Sequence, residues 1–440
     1  QRGWDCLSRF GERLAGFKRG QVRAVATQTL REARNRDQFL ARADDLLGFP
    51  IDVISGREEA RLIYQGVAHL LPRSNEKRLV VDIGGRSTEL ILGQAFDARV
   101  MESYHVGSVT WSLKHFPNGL FTTHAFQTAE IAAKAVLDEA LDTYRRDDWE
   151  VAYGSSGTIG AVGDVLTGAG WPAGSVTREG LDWLLERMLK AQSADRLRLD
   201  GIKEDRRAVI GGGVSVLRAV FDLLGIETMQ AAQGALRHGV LYALVDREQI
   251  QADVCAATVQ RLARKFGVDV AQAQRVRKVA HRLFDLMHAG DTAANLDRSQ
   301  HTLDWAAQLH EIGCHISHSD YHKHGAYILD NTDALGFAMP ELHDVALLVL
   351  GHRGKLRKLA IDFEDILFVH QLLCLRLAVI LCHARRDPDL EDMALATSAD
   401  HQLRLTWRPG WEDAFPQSVH LLREEVAAWQ KTPWTLQLAG

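Results

Sequence analysis

At 440 residues the chain is too long for one hydrophobic core and predicts two to four domains. A hydrophobic fraction of 46%, a charged fraction of 25% and a net charge of -5 are those of an ordinary globular protein. They exclude the basic footprint that non-specific nucleic-acid binding requires. The five cysteines (Cys6, Cys255, Cys314, Cys374 and Cys382) are odd in number and never spaced as CxxC. That pattern points to buried thiols in a reducing cytoplasm, not to a disulfide framework or a zinc site. No apolar run approaches a membrane span and no signal peptide is visible. The opening "QRGWDCLSRFGERLAGF" lacks methionine and starts part-way along an amphipathic helix, so an N-terminal segment is expected to be missing.

After this helix, "VRAVATQ" reads as a buried strand and "ARNRDQFLARADDLLG" as a polar helix ending on Gly48. "IDVIS" is a second strand, and Gly56 leads into "REEARLIYQGVAHLL", whose apolar residues recur at helical spacing. The pattern restarts with "RLVVDIGG", "STELILG" and "ARVMESYHVG", a three-strand meander. A long helix from about Ala125 to Tyr144 and a strand in "WEVAYGSSGT" follow. Three antiparallel strands followed by alternating helices and strands is the order of the ribonuclease-H-like fold. Two such halves in tandem make an α/β actin-like architecture with a cleft between them. Here residues 1–63 are expected to form the remainder of a first half without its own meander, and residues 64–246 a complete second half. Residues 247–388 predict an all-α domain, and residues 389–440 a small α+β C-terminal domain.

The stretch "VVDIGGRSTELILG" interrupts two apolar runs with glycines flanked by acids. Gly-Gly suits a tight hairpin turn, and a plain hairpin with a solvated Asp82 is the bland reading. The chemical reading uses every residue of the turn. Gly84 and Gly85 let backbone N–H groups approach an anion, and Ser87 and Thr88 add hydroxyls. Asp82 and Glu89 are hard oxygen ligands suited to magnesium. A second turn, "YGSSGTIGAV", places Ser155, Ser156, Gly157 and Thr158 at a helix N-terminus, which is either an anion site or a capped helix start. A third cluster, Gly211, Gly212 and Gly213, is expected to form a turn before another helix, with Gly234 and Arg237 shortly after. None of these is a GxGxxG or Walker loop, so together they indicate a polyanion cleft unlike a dinucleotide site.

"ISGREEARLIY" supplies Glu58 and Glu59 in a first helical turn. The two point about 100° apart, so at most one faces a cleft. Acids there also suit the helix dipole without any chemistry. Arg31, in "TQTLREA" after a strand end, can bind phosphate bidentately or lie on the surface. In "LHEIGCHISHSDYHKHGAYIL", His310, His315, His318, His322 and His324 resemble the pattern of HD phosphohydrolases, with His281 upstream. Glu311 stands where that pattern has aspartate, which favours a degenerate, non-catalytic HD-like fold. His352, Lys355, Arg357 and Lys358 read instead as a basic strip for a polyanion.

Taken together, "ATQTLREA", "ISGREEARLIYQGVAH", "VVDIGGRSTELILG", "GSSGTIGAV", "QGALRHGVLY" and the histidine-rich stretch closely resemble the exopolyphosphatase / guanosine pentaphosphate phosphohydrolase family over essentially the whole chain. The resemblance implies two actin-like domains, an HD-like helical domain, a small C-terminal domain and a homodimer. It implies hydrolysis of a terminal phosphoanhydride with Mg2+. Glu59 matches the catalytic glutamate, with Arg31 offsetting developing charge. The family's phosphate loop matches Asp82, Gly84, Gly85, Ser87 and Glu89; Asp82 and Glu89 are expected to hold magnesium, and Gly84, Gly85, Ser87, Thr88, Ser156, Gly157, Thr158 and Arg237 to bind substrate phosphates. The family's loop usually carries a third glycine where this chain has Arg86, and its first phosphate loop belongs to the absent meander. The expected activity is that of an exopolyphosphatase releasing orthophosphate from inorganic polyphosphate. The alternatives are removal of the 5′ γ-phosphate of guanosine pentaphosphate, or a polyphosphate- or nucleotide-binding sensor without turnover. A cytoplasmic location, or a peripheral one at the inner face of the membrane, is expected.

Overall fold

The computed structural model describes residues 1–440 except 73, 246–249, 290–295 and 399–400, together with the side chains of 205, 245, 250–253 and 297. The chain divides into two compact units, residues 1–252 and 253–440. The expected boundary at 246/247 lies outside the described residues.

The first unit opens with helix Arg2–Leu14, which packs on helix Arg36–Leu47 through stacked Trp4 and Phe39 rings, 5.9 Å between centroids. Strands β1 (Ala24–Ala26) and β2 (Ile51–Val53) pair in parallel, a geometry that needs the crossover the helix supplies. The helix stops at Gly48, whose φ of 76° is the left-handed cap that ends helices without a Cβ clash. Ser55 then caps the next helix, Gly56–Leu70, its Oγ accepting from the Glu58 N–H at 3.2 Å. The expected boundary at 63/64 falls inside this continuous helix.

The main sheet holds β3 (Lys77–Ile83), β4 (Thr88–Gln94), β5 (Asp97–Tyr104), β6 (Val151–Ser155), β7 (Ser175–Thr177) and β8 (Thr228–Ala231), in the order β5-β4-β3-β6-β8-β7. The meander β3–β4–β5 is antiparallel, and β6 and β8 extend it in parallel, as the ribonuclease-H-like reading requires. A short antiparallel edge strand, β7, was not expected. Leu79, Val81 and Ile83 point into the core shared with helices Thr123–Leu137, Ser156–Gly168 and Ile210–Leu224. The intervening Val80 and Asp82 lie on the other face, because strand side chains alternate. Helix Gly56–Leu70 packs against β3, β4 and β5.

Two expectations need correction here. The helix expected to run from about Ala125 to Tyr144 ends at Leu137, followed by a short turn, Asp138–Ala140. Gly211, Gly212 and Gly213 do not precede a helix but lie buried inside Ile210–Leu224. A Cβ on Gly212 would stand 2.4 Å from the Ser112 nitrogen, so the glycines let helix Ser108–His115 approach closely.

In the second unit, helices Val270–Met287, Asp297–Leu309, Tyr321–Asp330, Met339–Gly351 and Ile366–Leu381 pack around one core. Residues after 389 form β9 (Ala394–Ser398), β10 (Gln402–Thr406), helix Pro416–Trp429 and β11 (Thr435–Ala439), in a sheet of order β11-β10-β9. Leu395, Leu403, Trp407 and Trp429 belong to the same core as the helices. The buried Arg376–Glu425 pair, at 2.7 Å, ties helix Ile366–Leu381 to Pro416–Trp429. Among the described residues no helix is long and apolar enough to cross a membrane.

His310, His322 and His352 are buried, so His352 is not part of a surface basic strip. His322 and His324 lie in helix Tyr321–Asp330, not in a loop. Arg353, Lys355, Arg357 and Lys358 are exposed.

Candidate active site

Strand register assembles the first row of polar groups. Asp82 at the end of β3 lies opposite Glu89 on β4, and Glu89 lies opposite Ser103 on β5. On the other side Asp82 is level with Ser155, the last residue of β6. The row Ser155–Asp82–Glu89–Ser103 therefore crosses four strands near the carboxyl ends of β3 and β6, where open α/β sheets bind ligands. Ser103 Oγ donates to Glu89 Oε1 at 2.8 Å. The Ser155 hydroxyl, 3.0 Å from the Gly234 carbonyl oxygen, is also within hydrogen-bonding reach of Asp82.

Both acids are buried, Asp82 at 7% and Glu89 at 1% exposure. Burial pushes the Asp82 carboxyl up to about 6, against the Ser155 hydrogen bond and helped by the nearby Glu59 charge. Glu89 is held well above the usual carboxylate range by burial first, then by the charges of Glu59 and Asp82. Like charges facing each other across a ladder are costly. A divalent cation between them would remove that cost. Asp82 and Glu89 offer two hard oxygen donors, the number magnesium takes beside waters and phosphate oxygens. Among the described residues no group of three or more His, Cys, Asp or Glu is arranged to hold a metal, so the fit is to this water-rich mode.

Glu59 reaches the row from the helix above. A Cβ on Gly56 would stand 2.6 Å from Ser103 Cβ and 3.7 Å from Arg31 Nη2, so the helix start lies directly on β5. Arg31 Nη1 donates to Glu59 Oε2 at 2.9 Å and to the Ile54 carbonyl at 2.8 Å. Burial raises the Glu59 pKa, while the charge and hydrogen bond of Arg31 and a hydrogen bond from Thr27 hold it down. Glu58 turns away and forms a bidentate pair with Arg61, at 2.8 Å for each bond. Of the two adjacent acids, Glu59 alone joins the row.

The glycine turns differ from expectation in detail. The Gly84 N–H closes its own turn by donating to the Ser87 carbonyl at 2.9 Å, so it is not the anion donor the sequence suggested. Gly85 is exposed at the tip, and Ser87 hydrogen-bonds Glu89. The Thr88 hydroxyl is fully buried and donates to the Val106 carbonyl at 2.6 Å, which removes it from the phosphate-binding set. Ser156 and Thr158 both direct their hydroxyls at the Ile83 carbonyl, each at 2.9 Å. They tie β6 and its helix to the end of β3. Ser156 adopts a φ of 84°, a strained conformation for a residue with a Cβ. Helix Ser156–Gly168 has no side-chain N-cap bond, and a Cβ on Gly157 would stand 2.5 Å from Arg206 Nη2. Ser156 Oγ accepts from the Thr158 N–H at 3.3 Å, so one first-turn donor is taken, and the Arg206 guanidinium is the group at this helix start suited to phosphate. Arg237 is exposed in the first turn of helix Leu236–Val245.

Sequence reasoning missed Ser103, Thr27 and Arg206. Ser103 and Thr27 carry no local signal, because their roles come from register and from contact with a helix 28 or more residues away. Arg206 sits in the mixed-charge run "EDRR", which by itself reads as a solvated turn.

A family model described as the Ppx/GppA phosphatase family matches residues 1–248, and one for Ppx/GppA phosphatase, domain III, matches residues 254–426. A curated relative from Vibrio atlanticus, named guanosine-5'-triphosphate,3'-diphosphate pyrophosphatase, is 38% identical over 442 residues, covering 100% of this chain and 88% of the relative. Proteins of the same name from Vibrio cholerae serotype O1 and Pseudoalteromonas translucida are 37% and 36% identical. They cover 100% and 99% of this chain, and 88% and 87% of their own lengths. The chain is therefore a hydrolase, and it belongs to the Ppx/GppA phosphatase family.

Proposed function

We propose that this hydrolase removes the terminal 5′-phosphate of guanosine pentaphosphate by attack of water on its phosphoanhydride, with magnesium held by Asp82 and Glu89. The observation that carries the reading is the meeting of Glu59, braced by Arg31, with the buried Asp82–Glu89 pair. The substrate follows the names of the relatives. Motifs alone put inorganic polyphosphate first, but both substrates end in the same anhydride and the relatives favour the nucleotide.

Phosphoryl transfer depends on positioning and charge neutralisation more than on covalent chemistry. Glu59 takes the proton of the attacking water. Burial raises its basicity, and the Arg31 guanidinium fixes its orientation. Magnesium, when bound, supplies positive charge to the phosphate oxygens. Gly85 at its loop tip, the Gly157 N–H and the guanidinium of Arg206 face the terminal phosphates, with Arg237 further along. Residues 247–388 are read as an HD-like domain without turnover of its own, and a homodimer is expected from the family resemblance.

The test compares kcat/KM for guanosine pentaphosphate and long-chain polyphosphate across a magnesium titration. A preference of at least about tenfold for the nucleotide is expected. Preference for polyphosphate would restore the exopolyphosphatase reading. Binding without turnover of either would leave the sensor reading.

A further inference from the structure

Arg86 follows the two glycines of the β3–β4 turn, and its side chain reaches out of that turn to another layer of the unit. Its Nη2 donates to Glu32 Oε2 at 2.7 Å. Glu32 Oε1 accepts from Gln28 Nε2 at 3.0 Å and lies 3.0 Å from His105 Nδ1. Gln28 Nε2 is also 3.0 Å from His105 Nδ1, so the ring nitrogen accepts from the amide when unprotonated and donates to Glu32 when protonated. Hydrogen bonds from Gln28 and Arg86, with the charges of His105 and Arg86, hold the Glu32 carboxyl below its usual range despite some burial. Four side chains from three segments thus form one cluster beside the candidate active site.

The two ends of this cluster are not equivalent. The turn end is rigid: Ser108 and Val109 N–H groups donate to the Gly84 and Gly85 carbonyls at 2.9 Å, and a Cβ on Gly107 would stand 2.5 Å from the Arg86 nitrogen. The other end is short helix Gln28–Arg31, four residues with no side-chain cap bond. That helix carries Arg31, which holds Glu59, and it follows Thr27, which also bonds Glu59. A rigid turn beside Asp82 and Glu89 is therefore linked through Arg86 and Glu32 to the short element that orients Glu59.

We propose that Arg86 is a positioning residue of the reaction. Its pair with Glu32 clasps residues 27–32 against the β3–β4 turn and so sets where Arg31 and Glu59 stand relative to Asp82 and Glu89. Arg86 acts through Glu32 and Arg31 and touches no reacting atom. The inference rests on the reading of Glu59 as the group that acts on water. The ion pair is partly exposed, 44% for Arg86 and 36% for Glu32, so its contribution is modest and salt-sensitive.

The experiment measures guanosine pentaphosphate hydrolysis and amide hydrogen exchange in the wild type, Arg86→Gly, Arg86→Lys, Glu32→Gln and the Arg86→Gly/Glu32→Gln double variant. Each of Arg86→Gly and Glu32→Gln is expected to lower kcat about fivefold, with KM changed less than about twofold. Arg86→Lys should recover most of the loss, and the double variant should be no worse than either single one. Exchange should quicken at residues 27–32 in Arg86→Gly while β3 and β4 keep their protection. A raised KM with kcat intact would make Arg86 a substrate contact and overturn the proposal. So would additive losses in the double variant, or kinetics and exchange that both match the wild type. A wild type inactive on this nucleotide would refute the functional reading, and the exchange comparison would then decide the clasp by itself.

Discussion

Glu59 is the residue on which the proposed chemistry turns, and its neighbours define what its loss should do. It is bonded to Arg31 and Thr27 and interacts with the charges of Asp82 and Glu89, but it is not among the groups at the helix start proposed to bind phosphate. Glu59→Gln keeps the shape and a hydrogen-bond acceptor for Arg31 while removing the base. The expected result is a kcat lower by about 10²- to 10⁴-fold, the usual contribution of a general base, with nucleotide binding retained. Single-turnover phosphate release beside equilibrium binding checks this. Near-wild-type turnover would dismiss Glu59, and because Glu58 is engaged by Arg61 the helix would then supply no base at all.

Helix Ile210–Leu224 illustrates how an element far from the reacting atoms supports them. Gly212 lies against the backbone of helix Ser108–His115, its N–H donating to Ser112 Oγ at 2.9 Å, while Ser112 Oγ donates to the Val209 carbonyl at 3.0 Å. The same segment, through Ser108 and Val109, anchors the Gly84–Gly85 carbonyls. A methyl at 212 would meet Ser112 nitrogen and the Ser108 carbonyl oxygen, at 2.4 and 2.5 Å, and neither can rotate away as a side chain would. Gly212→Ala gains roughly 1 kcal/mol of helix propensity but forces two backbones apart at a cost of about 1–3 kcal/mol or more. A net loss of about 1–2 kcal/mol in urea unfolding, accompanied by reduced activity, is expected. A neutral or stabilising effect would mean that the two helices part easily and that the glycines are not required for their approach.

The buried histidines of the second unit and the buried acids of the first should respond to acid in opposite senses. In the second unit His310 and His352 are buried 5.5 Å apart, with His322 6.3 Å from His352. Their Nδ1 atoms bond the Ala307 and Val349 carbonyls at 2.7 and 2.6 Å. Burial lowers the pKa of all three below the ordinary imidazole value of 6.5; His310 also faces Glu311 and Arg385, His352 faces Arg376, and His322 faces Arg353, Asp320 and Lys323. A base whose folded pKa is depressed binds more protons unfolded than folded. Stability from these groups is therefore complete above pH 6.5 and falls as pH drops from there through their folded values. The raised carboxyls of the first unit pull the other way, so the readout must be local. Amide protection in helices Met339–Gly351 and Ile366–Leu381, corrected for intrinsic exchange, should fall between pH 7.5 and 5.5. His352→Leu should flatten that dependence. Protection that stays level in the wild type would mean the histidines titrate at their ordinary values.

Much of the architecture was legible from residue order. The strand–turn–strand signal around Gly84, the helical spacing after Gly56 and the run of helices in the second half of the chain are local patterns, and local patterns survive into the fold. The acids Asp82 and Glu89 were likewise conspicuous, because a carboxylate in an apolar run needs a reason to be there, whereas only the family resemblance separated Glu59 from Glu58. The three-dimensional structure decided what each of these residues touches. Whether Glu58 or Glu59 joins the row depends on which face of the helix lies on β5, and whether Asp82 meets Glu89 depends on a register that a one-residue slip would invert. The hydroxyls of Thr88, Ser156 and Thr158 looked like phosphate donors, yet each found a backbone carbonyl that only packing brings near. Gly211–213 looked like a turn because glycine disfavours helices, and the close approach of a second helix reversed that preference. Residue type and spacing express the chemistry available along the chain. Which groups meet, and which are taken up by the backbone, depends on contacts between residues tens of positions apart, and no local pattern encodes those.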